Sequence, residues 1–361
     1  MSRDKVYNFS AGPSMMPESV LLKAKSELED YSDCGMSIME MSHRGKVFQK
    51  VFVETKEKLR STLSIPDSHE ILFLQGGATL QFAAIPMNLM CGDLADYAVT
   101  GNFSSLAAKE AAKYGKVNIA CDSSDRGHCY IPAQSELKLS DGAKYFYYCA
   151  NNTIYGTEWS YVPETDSPLV CDMSSNILSK PVDVSKYGLI YAGAQKNMAP
   201  AGLTVVIVDK ALAGNELDIC PSVMSYKTMI EKDSMLNTPP CWCIYMLGLM
   251  LDWIKEQGGV SAMEELREQR AKILYDYLDE SRLFKAHAEP GSRSYMNVTF
   301  RTGSEELDAE FAKGAAMRGM LNVKGHRLTK GMRASIYNAM PLEGVKALVS
   351  YMKEFEVNHN V

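Results

Sequence analysis

No stretch of this chain is apolar for long enough to cross a bilayer. The longest run, CWCIYMLGLML, covers about eleven residues and ends at Asp252, whereas a spanning helix needs roughly twenty. Basic charge is also in short supply: 38 Lys and Arg stand against 44 Asp and Glu, a net charge of −6. Neither a nucleic-acid surface nor a membrane surface is expected, and any anionic ligand must be met by cations gathered locally. The opening MSRDKVYNFSAGPSMMPESV contains no apolar h-region, so no secretory signal is read and a cytoplasmic location is expected. The nine cysteines lie scattered through apolar segments such as YFYYC and PLVCD. They read as free thiols of a reducing compartment rather than a disulfide framework. CWC (Cys241, Cys243) lacks metal or redox spacing and reads as two small buried hydrophobes; no metal site is expected.

What is present is an ordinary enzyme-like composition, 46% hydrophobic and 23% charged over 361 residues. That length suits one large α/β domain with a smaller companion. Helical periodicity runs through ESVLLKAKSELEDY and KVFQKVFVETKEKLRSTL. Apolar β-rich runs then alternate with helical ones: EILFL, TLQFAAIPMNLM, ADYAV, SSLAAKEAAKYG, KVNIA, YFYYC, LVCD, LIYAG and LTVVIV. The seven strand-like runs predict a mostly parallel seven-stranded sheet flanked by helices. After residue 208 the rhythm changes to two long helices broken at Gly258–Gly259. MNVTF, a helix at SEELDAEFAKGAAMRG, RASIY and a last helix in EGVKALVSYMKEFE follow. The expected division is a large domain over 16–258 and a smaller α+β C-terminal domain over 259–361, with segment 1–15 docking near the site.

In open α/β sheets, ligands bind beyond the carboxyl ends of the strands. Four such places carry suggestive residues. FLQGGATLQF runs a strand through Gly76, Gly77, Ala78 and Thr79 into a helix, where free N–H groups and a hydroxyl can hold a phosphate. It matches neither the P-loop nor the dinucleotide fingerprint, and a plain βα turn explains it equally well. Asp172 ends LVCD, placed to accept from a protonated ligand nitrogen or merely to cap a helix. Thr153 follows YFYYC and reads alone as a loop hydroxyl. Lys196, in YAGAQKNMAPAGLTVVIV, sits between two buried runs among Gly193, Ala194, Ala199 and Gly202. A lone lysine there usually snorkels to water. Taken together, a phosphate cradle, an acid for a ring nitrogen and a desolvated amine are what pyridoxal phosphate requires.

These residues belong to longer familiar runs. NFSAGPSMMPESV, SHRGKVF, GGATLQFAAIPMN, DMSSNILSKPVDVSKYGLIYAGAQKNMAPAGLT, NTPP and HRLTKGMRASIYNAMPLEGV closely resemble the phosphoserine aminotransferase family of the class V aminotransferases, from the N-terminus to near residue 358. The resemblance implies the fold type I architecture of pyridoxal phosphate enzymes. It makes Lys196 the Schiff-base lysine and Asp172 the partner of the pyridine nitrogen. It puts Ala78 and Thr79 at the phosphate and Phe103, Thr153 and Gln195 on the cofactor. Asn237 and Thr238 would reach the phosphate of a second subunit, which implies a homodimer with shared sites. Two departures stand out: Phe103 replaces a tryptophan of many members, and Thr79 an arginine of some.

Short basic clusters, His43–Arg44 and His326–Arg327 with Arg333, read alone as solvated surface charge, although arginine forks match carboxylate and phosphate. The resemblance assigns His43, Arg44, His326 and Arg327 to a distal anion, and Arg333, with Ser10 nearby, to an α-carboxylate. Glutamate and 3-phosphohydroxypyruvate are then the expected substrates. The rivals are another class V enzyme such as a cysteine desulfurase, which needs a mobile nucleophilic cysteine, and a non-enzymatic phosphometabolite binder with a structural Lys196.

Overall fold

The computed structural model describes residues 6–359. A short strand β1 (Tyr7–Asn8) precedes helices α1 (Glu18–Ser26) and α2 (Lys46–Thr62). Strands and helices then alternate through β2 (His69–Leu74), α3 (Gly77–Ile85), β3 (Leu94–Val99), α4 (Asn102–Ala111) and β4 (Lys116–Asp122). Next come β5 (Phe146–Cys149), a small hairpin of β6 (Asn151–Asn152) and β7 (Thr157–Glu158), then β8 (Leu169–Asp172), β9 (Leu189–Gly193) and β10 (Thr204–Asp209). Three helices follow: α5 (Tyr226–Glu231), α6 (Cys241–Glu256) and α7 (Gly259–Glu280). The chain closes with β11 (Lys285–Ala286), β12 (Asn297–Arg301), α8 (Glu305–Met317), β13 (Met320–Leu321), β14 (Met332–Ser335) and α9 (Leu342–Asn358).

All seven apolar runs become strands of one sheet, ordered β2-β10-β9-β8-β5-β3-β4. β10 runs antiparallel to both neighbours and the other four pairings are parallel. Continuous apolar runs suit strands covered on both faces, and alternate residues fill two separate cores. Ile71, Phe73, Phe146, Tyr148, Ile190 and Ile207 face one way, with Phe48, Phe52 and Leu59 of α2 and Ile244, Leu247 and Leu251 of α6. Their neighbours Leu72, Leu74, Tyr97, Tyr147, Leu189 and Val206 face the other, against α3 and α4. In α2 the buried positions Phe48, Val51, Phe52, Thr55 and Leu59 recur every three or four residues, which is why that stripe faces α6.

A third core gathers the β11-β12-β14 sheet, α8 and α9, with Phe284 meeting Phe300, Phe311 and Phe355 edge-on or tilted. The N-terminal segment joins it: β1 pairs in parallel with β13, and Phe9 is fully buried there. Helix α7 serves two cores, Met263 packing in the α2–α6 core and Ala271, Leu274 and Leu278 in the third. The helical run expected through Met90 is broken at Pro86, which lacks the N–H to continue α3, and a wider turn follows over Pro86–Met90. Helix α5 and the two-residue strands escape periodicity because they are too short to show a period.

The α7 helix is also tied to the β6–β7 hairpin by charge. Arg267 Nη1 donates to Glu158 Oε1 at 2.9 Å, and both side chains are under 5% exposed. Removing one partner of a buried pair strands the other. Arg267→Ala is therefore expected to destabilise the protein by about 3–5 kcal/mol, read as a lowered urea midpoint; an unchanged midpoint would show that water reaches Glu158 after all.

Candidate active site

β2, β9, β8, β5 and β3 all point the same way, since β2 and β9 both oppose β10. Their carboxyl ends therefore open on one edge of the sheet, and the residues singled out above follow those ends. Asp172 is the last residue of β8, Lys196 follows β9 by three residues, and Thr153 lies in the turn after β6. Phe103 stands in the first turn of α4, after β3.

After β2 the chain turns into α3 through Gly76 and Gly77, at φ 89° and 70°. Only glycine takes this left-handed region without strain. A Cβ on Gly76 would also meet Leu80 Cδ2 at 2.4 Å. No side chain caps α3, so the N–H groups of its first turn remain free where Ala78 and Thr79 border the cavity. Across from them Gly193 leaves space that a Cβ would fill, at 3.4 Å from Ala78 Cβ.

The resulting cavity holds about 170 Å³ and is lined by Ala78, Thr79, Phe103, Asp172, Gln195 and Lys196, among others. A dry cavity of roughly 150 Å³ admits a benzene ring, so one six-membered aromatic ring fits with its substituents at the mouth. Lys196 Nζ donates to Thr153 Oγ1 at 2.7 Å and lies 5.4 Å from the centre of the Phe103 ring. Burial lowers its proton affinity below an ordinary lysine's; Asp172 and Cys149 pull the other way, and Arg333 pushes further down. Asp172, 5% exposed, accepts from Ser174 N–H at 2.8 Å and from the Tyr191 hydroxyl at 3.1 Å. The donor set thus fits pyridoxal phosphate: amine, carboxylate, aromatic face and free helix N–H groups around a ring-sized space.

The N-terminal segment forms a wall of the same site. Ser14 N–H donates to the Gln195 carbonyl at 3.0 Å, and Ser14 Oγ to the Lys196 carbonyl. The Tyr337 hydroxyl donates to the Ala11 carbonyl at 2.7 Å. Gly12, at φ 143°, approaches so closely that a Cβ there would sit 3.2 Å from Lys196 Cγ. Ser10, whose N–H donates to Asn8 Oδ1, precedes this approach. Arg333 reaches in from β14: Nη1 donates to the Thr153 carbonyl at 3.4 Å, while its buried Nε has no protein partner. Such an orphaned donor suits an incoming carboxylate.

The remaining basic groups stand further out. His326 is half-buried, its proton affinity lowered by burial and by Arg333 and Arg327, and Arg327 is exposed. Arg44 is exposed, and His43 Nε2 is buried with no protein partner. Gln49 Nε2 donates to the His43 carbonyl at 2.6 Å and to Met235 Sδ, so this loop lies beside segment 235–238. Asn237 and Thr238 do not line the cavity of their own chain. Both are exposed and held by Gln75, Asn237 Nδ2 donating to its Oε1 and the Thr238 carbonyl accepting from its Nε2, each at 3.1 Å.

The sequence carries no signal for Ser174, Tyr191, Gly12 and Ser14, whose places at the site depend on strand register or on a docked terminus. None of the nine cysteines lines the cavity. A larger groove, about 600 Å³ between Glu158, Arg267, Tyr275 and Tyr295, shares no lining residue with this cavity. Among the described residues no cluster can hold a metal and no helix is long and apolar enough to cross a membrane.

Comparison with known proteins gives one consistent answer. The class V aminotransferase family model matches residues 6–348. A phosphoserine aminotransferase of Bacillus cereus is 50% identical over 358 residues, covering 99% of each chain. The structure of phosphoserine aminotransferase from Bacillus circulans superposes with a TM-score of 0.96 at 43% identity, covering 99% of both chains. That of a phosphoserine aminotransferase with bound pyridoxal phosphate from Trichomonas vaginalis does so with a TM-score of 0.93 at 39% identity, covering 96% of this chain and 99% of the other.

Desolvation disfavours the ammonium form, so the nucleophilic amine of Lys196 exists at a lower pH than that of surface lysines. In apo-protein, reductive labelling with a small aldehyde should half-saturate at Lys196 below the ordinary lysine value of 10.5. Peptide mapping against pH reads this directly, and a Lys196 profile coincident with the exposed lysines would contradict the geometry.

Proposed function

We infer the activity from one premise: the chain belongs to the class V aminotransferase family. It is a pyridoxal-phosphate-dependent transaminase that exchanges an amino group between glutamate and 3-phosphohydroxypyruvate, giving phosphoserine and 2-oxoglutarate, a step of serine biosynthesis. The observation that carries the reading is the pairing of Lys196 and Asp172 across a cavity bordered by the uncapped start of α3. Phosphohydroxythreonine, with the same anionic groups, is a second substrate candidate for the same site.

Pyridoxal phosphate, when bound, supplies the carbonyl that carries the amino group and the ring that delocalises the electron pair left at the substrate α-carbon. Lys196 would hold it covalently, Thr79 and the first N–H groups of α3 its phosphate, and Phe103 and Gln195 its ring. Asp172 would hold the proton on the ring nitrogen by charge. Lys196 Nζ, its proton affinity lowered by burial and its position held by Thr153, takes the proton from the substrate α-carbon and later returns one. Arg333, with its free Nε, fixes the α-carboxylate, and the N-terminal segment at Ser10–Ser14 keeps water from that side. His43, Arg44, His326 and Arg327 receive the distal anion. Two such clusters exceed what a carboxylate needs and suit a dianionic phosphate. A cysteine desulfurase reading lacks its nucleophile, because no cysteine faces the cavity.

The substrate assignment predicts unequal losses. Charge-assisted hydrogen bonds contribute roughly 1.5–3 kcal/mol each. Arg44→Ala and Arg327→Ala should each lower kcat/KM for 3-phosphohydroxypyruvate by about tenfold or more, with smaller losses for glutamate. Arg333→Ala should hurt both, because both carry an α-carboxylate. Half-reaction constants for the two substrates decide it, and equal losses in the Arg44 and Arg327 variants would remove the phosphate from this account.

The exposed Asn237 and Thr238 belong to the site of a second copy in a homodimer, which accounts for their position outside their own cavity. Mixing inactive Lys196→Ala subunits with Asn237→Ala/Thr238→Ala subunits should then restore activity, since one site of each heterodimer is intact. No recovery after subunit exchange verified by mass would return both residues to their own chain.

A further inference from the structure

Asp172 ends β8, Lys196 follows β9 and Arg333 stands on β14. The segments that continue from these three residues meet at two buried side-chain amides. Asn197, the residue after Lys196, is 3% exposed. Its Nδ2 donates to the Ile177 carbonyl at 2.9 Å, in the turn that follows β8, and its Oδ1 accepts from the Asn338 N–H at 3.0 Å. Asn338, also 3% exposed, lies just beyond the end of β14. Its Nδ2 donates to the Leu178 carbonyl at 2.8 Å.

Two further features show that these bonds bear on the backbone. Leu178 is fully buried at φ 63°, the left-handed region that a bulky side chain avoids. Such a conformation persists only where its surroundings hold it. The two amides take the carbonyls of the peptide groups on either side of the Leu178 Cα, which fixes both planes. Asn338 is held in turn from α7: Arg270 Nη1 donates to the carbonyls of Asn338 and Met340 at 3.1 and 3.0 Å. Arg270 is 2% exposed, and its Nε and Nη2 have no protein partner. Burial lowers its proton affinity to about 10, so at neutral pH it is a cation and its bonds to these carbonyls are charge-assisted.

We propose that Asn197 and Asn338 are positioning residues whose amides clasp the segments after β8, β9 and β14, and so set the spacing of Lys196 and Arg333. The proposal rests on the aminotransferase reading of this cavity. A substrate held by its α-carboxylate at Arg333 presents its α-carbon to Lys196 Nζ only when that spacing is right. Arg333 has one other tie to the Lys196 surroundings, the bond from its Nη1 to the Thr153 carbonyl, and at 3.4 Å that bond is longer than any of the three in the clasp. Neither asparagine lines the cavity. Loss of the clasp therefore leaves every binding group present and alters their distances. A ligand anchored at one end keeps its affinity, whereas the proton transfer, which needs both ends in place, slows.

Two measurements test the clasp. The first is hydrogen exchange in apo-protein, read by mass spectrometry over segment 336–340. Asn197→Ala removes the acceptor of the Asn338 N–H, so exchange in that segment should quicken by about fivefold, the worth of one ordinary hydrogen bond. The second is the half-reaction of the holoenzyme with glutamate, in wild type, Asn197→Ala, Asn338→Ala and the double variant. Each single change should lower the limiting rate by about tenfold to a hundredfold. The half-saturating glutamate concentration and the dissociation constant of pyridoxal phosphate should stay within about threefold of wild type. The double variant should lose less than the product of the two single losses, because both open one clasp. A raised half-saturating concentration at an unchanged limiting rate, losses that multiply, or unaltered exchange over 336–340 would each overturn the proposal. Should Asn338→Ala fail to fold, Asn197→Ala decides alone, by its limiting rate and its exchange. A wild type that binds pyridoxal phosphate but leaves glutamate unconverted would instead overturn the aminotransferase reading, so the two failures are distinguishable.

Discussion

Lys196 Nζ rests on Thr153 Oγ1 in a place where burial disfavours an ammonium, and three parts of the fold converge to hold it there. β9 delivers it, the hairpin turn after β6 supplies Thr153, and the N-terminal segment closes against its stem at Gly12. Desolvation alone would lower the amine's proton affinity without giving it a direction. Asp172, one strand away, opposes that effect, and the cavity walls between them come from α3 and α4. Holding a buried lysine of lowered proton affinity beside a carboxylate is the constraint on which the rest of the site depends.

That constraint explains the buried polar groups where the α/β sheet meets the smaller one. Asn151 Nδ2 donates to Ser175 Oγ and to Asn297 Oδ1, and Asn297 Nδ2 in turn to Ser335 Oγ and the Tyr337 hydroxyl. Tyr337 then donates to the Ala11 carbonyl, so one continuous network runs from the end of β5 to the segment covering Lys196. Arg333 stands on the same β14 strand. A fully satisfied network of this kind fixes relative placement more sharply than apolar packing does. It sets Arg333 and the N-terminal segment relative to Lys196.

The sequence made the sheet legible because its strands are buried on both faces. Runs such as LIYAG and LTVVIV have no other economical home, and the glycine turn before α3 announces a strand-to-helix junction. Lys196, Asp172, Ala78, Thr79 and Thr153 were legible for a related reason: in a parallel sheet, residues just past strand ends share an edge. Asn237 and Thr238 show the limit: only the resemblance sends them to a second subunit, no local pattern does, and the fold is what leaves them outside the cavity of their own chain. Likewise, α7 reads as one uninterrupted helix in sequence, and only its packing shows Met263 and Ala271 in different cores.

Local composition therefore determined which segments are strands, where they end, and which chemical groups wait at those ends, because period and turn chemistry act over a few residues. Tertiary structure decided what those groups are worth. The lowered proton affinity of Lys196 comes from burial, to which Gly12, Thr153 and Phe103, far apart in the chain, contribute. The bond from Tyr191 to Asp172 exists because strand register sets two residues nineteen positions apart side by side. Proton affinity depends on surroundings within a few ångströms, and only the folded chain says what those surroundings are.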